Sequence, residues 1–153
     1  MEENHMTRSN AREIAMHLIF EMEYHSDMTP EELIRSVFDQ EYYPRLASES
    51  DLYQDKPNAK QMQYIEQCVT GVCANKPEID GYIEQYAVGW KISRISKVSL
   101  AVLRLAIYEI LHVEDAPTGV VINEAVEIAR RYEEEDKVSF INGILGSFAR
   151  AQQ

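Results

Sequence analysis

Trp90-Lys91-Ile92-Ser93-Arg94-Ile95-Ser96-Lys97-Val98-Ser99-Leu100-Ala101-Val102-Leu103-Arg104-Leu105-Ala106-Ile107-Tyr108 is apolar and helical in period, and its charge runs against the rest of the chain. Ser96 is a residue type that caps helices, and after it Leu100, Leu103, Ala106, Ile107, Ile110 and Leu111 recur at helical spacing. The segment is apolar around most of its circumference, which places the helix at the centre of a bundle. From Gln85 to Tyr108 there are four basic residues and no acidic one, within a chain of net charge −11. The region therefore reads both as a core helix with a basic solvent side and as a candidate contact surface.

Working outward, Pro117 opens a further helix carrying Val121, Ile122, Ala125, Ile128, Ala129 and Tyr132 on its inner face. Glu133-Glu134-Glu135-Asp136 ends it, since acids are poorly placed at a helix C-terminus and well placed before the next N-terminus. The last helix then holds Phe140, Ile141, Ile144, Leu145 and Phe148. Upstream, Ile79, Tyr82, Ile83 and Tyr86 define a helix that Pro77 starts and Gly89 stops, and Met62, Ile65, Val69, Val72 and Cys73 define the one before it. Thr29-Pro30-Glu31-Glu32 combines a capping threonine, a first-turn proline and a glutamate that reaches back, ahead of Leu33, Ile34, Val37 and Phe38. Asn10-Ala11-Arg12-Glu13 has the form of a capping box before Ile14, Leu18, Ile19 and Met22. Between Tyr42 and Pro57 the periodicity lapses into Pro, Ser and Asp, which reads as a connection and as the expected hinge between subdomains.

The 153 residues are 45% apolar, enough for a real core, with only 6 glycines and 5 prolines. Low turn content and about seven helical segments predict an all-α fold. No apolar run approaches the roughly 18 residues of a membrane span. The opening Met1-Glu2-Glu3-Asn4-His5 is unlike a signal peptide, so a cytoplasmic location is expected. Cys68 and Cys73, five apart on one helix, point in different directions and read as reduced core residues.

Glycine-rich phosphate loops, a nucleophile elbow and paired Cys/His spacings are missing from the sequence, so neither catalysis, a metal site nor a cofactor is expected. His5, His17, His25 and His112 occur singly, and Glu124 and Glu127 lack a companion histidine. Arg8, Asn10 and Arg12 at the start of the first helix can reach phosphates or bases. Arg104 lies amid leucines and is expected to be partly buried and paired, with Glu124 the first candidate, because an unpaired buried charge costs roughly several kcal/mol. Asn123 and Asn142 fit helix-end roles.

Four blocks of this sequence, in order and spacing, resemble the bacterial transcription antitermination factor family NusB. They are Arg8-Ser9-Asn10-Ala11-Arg12-Glu13-Ile14-Ala15, then Val102-Leu103-Arg104-Leu105-Ala106-Ile107-Tyr108-Glu109-Ile110, then Pro117 with Val121-Ile122-Asn123-Glu124-Ala125-Val126-Glu127-Ile128-Ala129, and finally Phe140-Ile141-Asn142-Gly143-Ile144-Leu145. The resemblance runs from Arg8 to Arg150 and implies a NusB-like bundle in one domain, 8–150, with helical subdomains at about 8–75 and 76–150. It implies no catalytic activity, and pairing with NusE, a small-subunit ribosomal protein. The pair would bind a single-stranded boxA element in ribosomal RNA transcripts, join the RNA polymerase antitermination complex and suppress termination.

By position, Arg8 and Arg12 match RNA-contacting arginines. Phe20 stands where a tyrosine usually lies near the partner surface, and Ser99 stands where an acid is common. The arginine cluster is thinned here to two, with Ser9 and Asn10 between them, and an acid is absent at Ser99, which removes one expected link to the partner. The expected RNA surface joins Arg8, Asn10 and Arg12 to the Lys91, Arg94 and Lys97 edge, with Phe140 as a candidate stacking residue. Such modules also occur fused to RNA methyltransferases, and no methyl-donor domain is expected in a chain that ends at Gln153. The rival reading is a helical protein–protein adaptor without RNA affinity, which the acidic charge favours.

Overall fold

The computed structural model describes residues 6–153; the acidic opening at residues 1–5, His5 included, lies outside the described residues. Among the described residues there are eight α-helices, two short 3-10 turns and no strand. The helices are α1 (Arg8–Met22), α2 (Pro30–Val37), α3 (Tyr43–Glu49), α4 (Ala59–Ala74), α5 (Lys76–Tyr86), α6 (Lys97–His112), α7 (Thr118–Tyr132) and α8 (Glu135–Ala151). No helix among the described residues is long and apolar enough to cross a membrane. The chain divides into two compact units, one ending at Thr70 and the other running Gly71–Gln153.

In the first unit α1 packs on α2 and on the 3-10 turn Asp51–Tyr53, and α3 packs on the same turn. Thr29 and Glu32 form the expected capping box, each side chain accepting the other's backbone N–H at 3.1 Å. The start of α1 differs from expectation. Its cap is Thr7, whose hydroxyl accepts the Asn10 N–H at 3.0 Å, so the helix begins before Asn10 and buries Glu13 in its second turn. A second reciprocal cap opens α4, with Asn58 and Gln61 exchanging side-chain and backbone bonds at 2.9 and 3.0 Å.

The Tyr42–Pro57 segment lies inside this unit and holds α3 as well as a 3-10 turn, where the sequence predicts only a connection. Its order comes from aromatic packing that has no helical period. Phe38 stacks on Tyr43 at 5.1 Å, Tyr53 meets Tyr43 edge-on at 5.9 Å, and the Tyr43 hydroxyl donates to the Asp55 carbonyl at 2.6 Å. Burial, with Asp55 nearby, pushes the Tyr43 phenol up to about 12, so it remains a donor.

The second unit is built around α6, which packs against α5, α7 and α8. Every residue from Ser99 to Glu109 is buried, as the all-round apolar pattern predicts. Ser96 caps the helix, its hydroxyl accepting the Ser99 N–H at 3.1 Å. The acidic run divides as expected, with α7 ending at Tyr132 and Glu135 and Asp136 in the first turn of α8. Phe148 is fully buried between Tyr82 and Tyr86, whose ring centroids lie 5.0 and 6.2 Å away. Arg104 is paired, as expected, through a two-pronged bond from Nε and Nη2 to both Asp80 oxygens at 2.8 and 3.0 Å. That acid lies on α5, whereas the sequence reading named Glu124.

Candidate RNA interface

In the first unit the expected contacts gather at the start of α1, where the helix leaves backbone N–H groups directed outward and the first turn contains no acid. Tyr64 on α4 holds the arginines in place. The Arg8 guanidinium lies 4.2 Å from its ring centroid and the Arg12 guanidinium 5.9 Å away, both within cation–π range. The Gln61 side-chain amide donates to the Met6 carbonyl, which ties the chain before α1 to the same helix.

Burial separates the two arginines. Arg8 is half-exposed, as is Asn10, but Arg12 is only 4% exposed. The guanidinium of Arg12 therefore supports this end of α1 more than it faces solvent. Phe20 is half-buried farther along α1, edge-on to the exposed Tyr24 at 5.3 Å.

In the second unit the basic edge follows α5. The Trp90 N–H bonds the Ala87 carbonyl at 3.0 Å, closing a turn whose third residue, Gly89, has φ +83°. That backbone conformation favours glycine. Lys91, the 3-10 turn Ile92–Arg94 and Lys97 follow, and Lys91, Arg94 and Lys97 are all exposed. Phe140, half-buried near the start of α8, lies 5.7 Å from Trp90 with the rings tilted by 57°. The structure thus brings Phe140 to the residue that begins the basic run.

Ser99 is 2% exposed, and its hydroxyl donates to Glu133 at 3.1 Å, while the Ser96 hydroxyl donates to the same carboxylate oxygen at 2.6 Å. Lys137 meets the other oxygen at 3.3 Å. Burial by itself would raise the Glu133 carboxyl, but the bonds from Ser96, Ser99 and Lys137 and the Lys137 charge outweigh it and hold the group below its ordinary value. A buried serine bonded to a carboxylate on the loop before α8 takes up the place where an acid was expected.

Trp90, Tyr64 and Glu133 also stand at these candidate sites, beyond the residues that the sequence predicts. Trp90 carried a readable signal, being the chain's only tryptophan and following a glycine at the head of a basic run. Tyr64 and Glu133 carried none, because their partners lie far away in the chain.

The NusB family model matches residues 9–150. The chain is 45% identical to the transcription antitermination protein NusB of Acetivibrio thermocellus, covering 96% of this chain and 91% of that protein. It is 40% identical to the protein of the same name from Clostridium botulinum, over 95% of this chain and 99% of that one. Among solved structures, T. maritima NusB superposes with a TM-score of 0.78 at 30% identity, covering 97% of this chain and 93% of that one. A crystal structure of antitermination factors NusB and NusE in complex with dsRNA contains a chain that aligns with a TM-score of 0.75 at 23% identity, over 94% of this chain and 96% of that one, a likeness of fold. On the family match and on these identities over nearly the full length, this chain belongs to the NusB family.

Proposed function

We propose that this protein is an RNA-binding transcription antitermination factor that recognises boxA-type single-stranded RNA together with NusE, within the RNA polymerase antitermination complex. The observation that carries the reading is the exposed Lys91, Arg94 and Lys97 edge beside Phe140, a basic face on a family member that is otherwise acidic. Cations there would neutralise phosphates, and an aromatic ring would take a base face, the two parts that single-strand binding needs.

In the first unit, Arg8 and Asn10 at the α1 N-terminus would offer further contacts to the backbone of the strand. Arg12, being buried, holds that end in place. Phe20 and the Ser99–Glu133 pair are the residues proposed to influence partner binding, Ser99 acting through the carboxylate it bonds. The charge of −11 keeps a second reading in view, a helical protein–protein adaptor without RNA affinity. Titration of a fluorescent boxA-like RNA with and without NusE separates the two. Weak binding that strengthens with NusE is expected, and RNA that is ignored in both cases would favour the adaptor.

A further inference from the structure

Trp90 is 53% exposed although it is the largest apolar side chain in the protein. Its position is fixed. The Ala87–Trp90 turn with Gly89 at φ +83° sets the backbone, and Phe140 braces the indole at 5.7 Å. An indole held in this way and half-open to solvent has little entropy left to lose on binding, which favours a docking residue. Its surroundings select the occupant: Lys91 is the next residue, Arg94 and Lys97 are exposed just beyond, and no acid occurs between Gln85 and Tyr108. Cations beside an open aromatic face match a polyanion with stackable rings.

We propose that Trp90, braced by Phe140, is the stacking platform for one base of the single strand, with Lys91, Arg94 and Lys97 taking the adjoining phosphates. This rests on the RNA-binding reading above and adds to it a residue that the reading does not require. Because every base has a π-face, the platform contributes affinity and leaves sequence choice to other contacts.

Trp90 reports on itself, since its fluorescence is the only tryptophan signal of the chain. The experiment titrates the full chain with NusE against boxA-like and scrambled single strands, with Trp90→Phe as the fluorescence blank. Stacking predicts quenching of Trp90 that saturates with RNA occupancy. Trp90→Ala is expected to weaken both strands by the same factor, between about fivefold and a hundredfold, and Trp90→Phe by about threefold or less. Circular dichroism and the unfolding midpoint establish that the variants are folded, and the quenching of the unmodified protein needs no variant.

RNA bound normally by Trp90→Ala, with no quenching of the unmodified protein, would overturn the platform and leave the function standing. Quenching by NusE alone, with loss of NusE binding in Trp90→Ala, would assign the indole to the protein partner and overturn the platform. RNA that binds neither with nor without NusE would sink both.

Discussion

Arg104 keeps a full charge in the middle of an apolar helix at 4% exposure, because Asp80 accepts two of its N–H groups. Removing one partner of a fully buried pair costs about 3 kcal/mol or more, and the loss here should be smaller, about 1 to 3 kcal/mol, because Asp80 is 21% exposed. Arg104→Ala should therefore lower the unfolding midpoint markedly, whereas Arg94→Ala, on an exposed turn, should leave it within error. Equal and negligible effects would show that Arg104 is solvated. That Arg104 is buried and paired was legible from the leucines around it; Asp80, 24 residues upstream, was not, because no local spacing connects the two.

His17 offers a second test at this scale. Its Nδ1 lies 3.0 Å from the Tyr53 hydroxyl, and burial lowers its pKa below 6.5, with Glu21 opposing in part. The unfolded chain thus binds the proton more readily than the folded one between the lowered value and 6.5, so stability falls as the pH drops through that window and this contribution levels off below it. His17→Gln should flatten the stability–pH profile there; an unchanged slope in urea melts from pH 7 to 5 would contradict the burial argument.

Elements with a clear helical period, α2 and α4 to α8, are legible because their apolar residues recur on one face, with capping signals adding to this at α2 and α6. Two features were not. The α1 cap lies at Thr7, three residues before the Asn10 that the sequence predicts, because both are capping types and the backbone uses the earlier. Helix α3 escaped because Tyr43 and Tyr53 are fixed by contacts to Phe38, to each other and to Asp55 instead of by a stripe.

The same kind of contact gives a sharp prediction at Gly71. A Cβ there would fall 2.3 Å from the ring of Tyr108 on α6, far inside contact distance, and the ring is itself buried. Gly71→Ala normally favours a helix, yet here overpacking should dominate and destabilise the protein by about 1 to 3 kcal/mol. A raised melting temperature for Gly71→Ala would mean that Tyr108 moves aside at no cost.

For the whole molecule, charge decides how RNA is met. A protein at −11 repels a strand at long range, but at physiological salt that field decays over about 8 Å, so local cations govern the bound state. The basic window from Gln85 to Tyr108 was legible as a contrast in charge. Which of its members face solvent was not, and neither was the burial of Arg12 and Ser99. Of the proposed phosphate contacts, Lys91, Arg94 and Lys97 are exposed and Arg8 is half-exposed, and two to four such contacts would give a salt dependence of about 1.5 to 3 units of log K per log salt. Binding by the protein alone should therefore be weak and its slope shallow. NusE should steepen that slope by adding cations of its own. Arg94→Ala should flatten it by about 0.7 and weaken boxA-like and scrambled strands alike. Arg12→Ala, by contrast, should act first on the unfolding midpoint and leave the slope nearly unchanged, because a side chain at 4% exposure neutralises no phosphate directly. A full unit lost from the slope on Arg12→Ala, with the midpoint intact, would return that arginine to the RNA surface and require the start of α1 to open on binding.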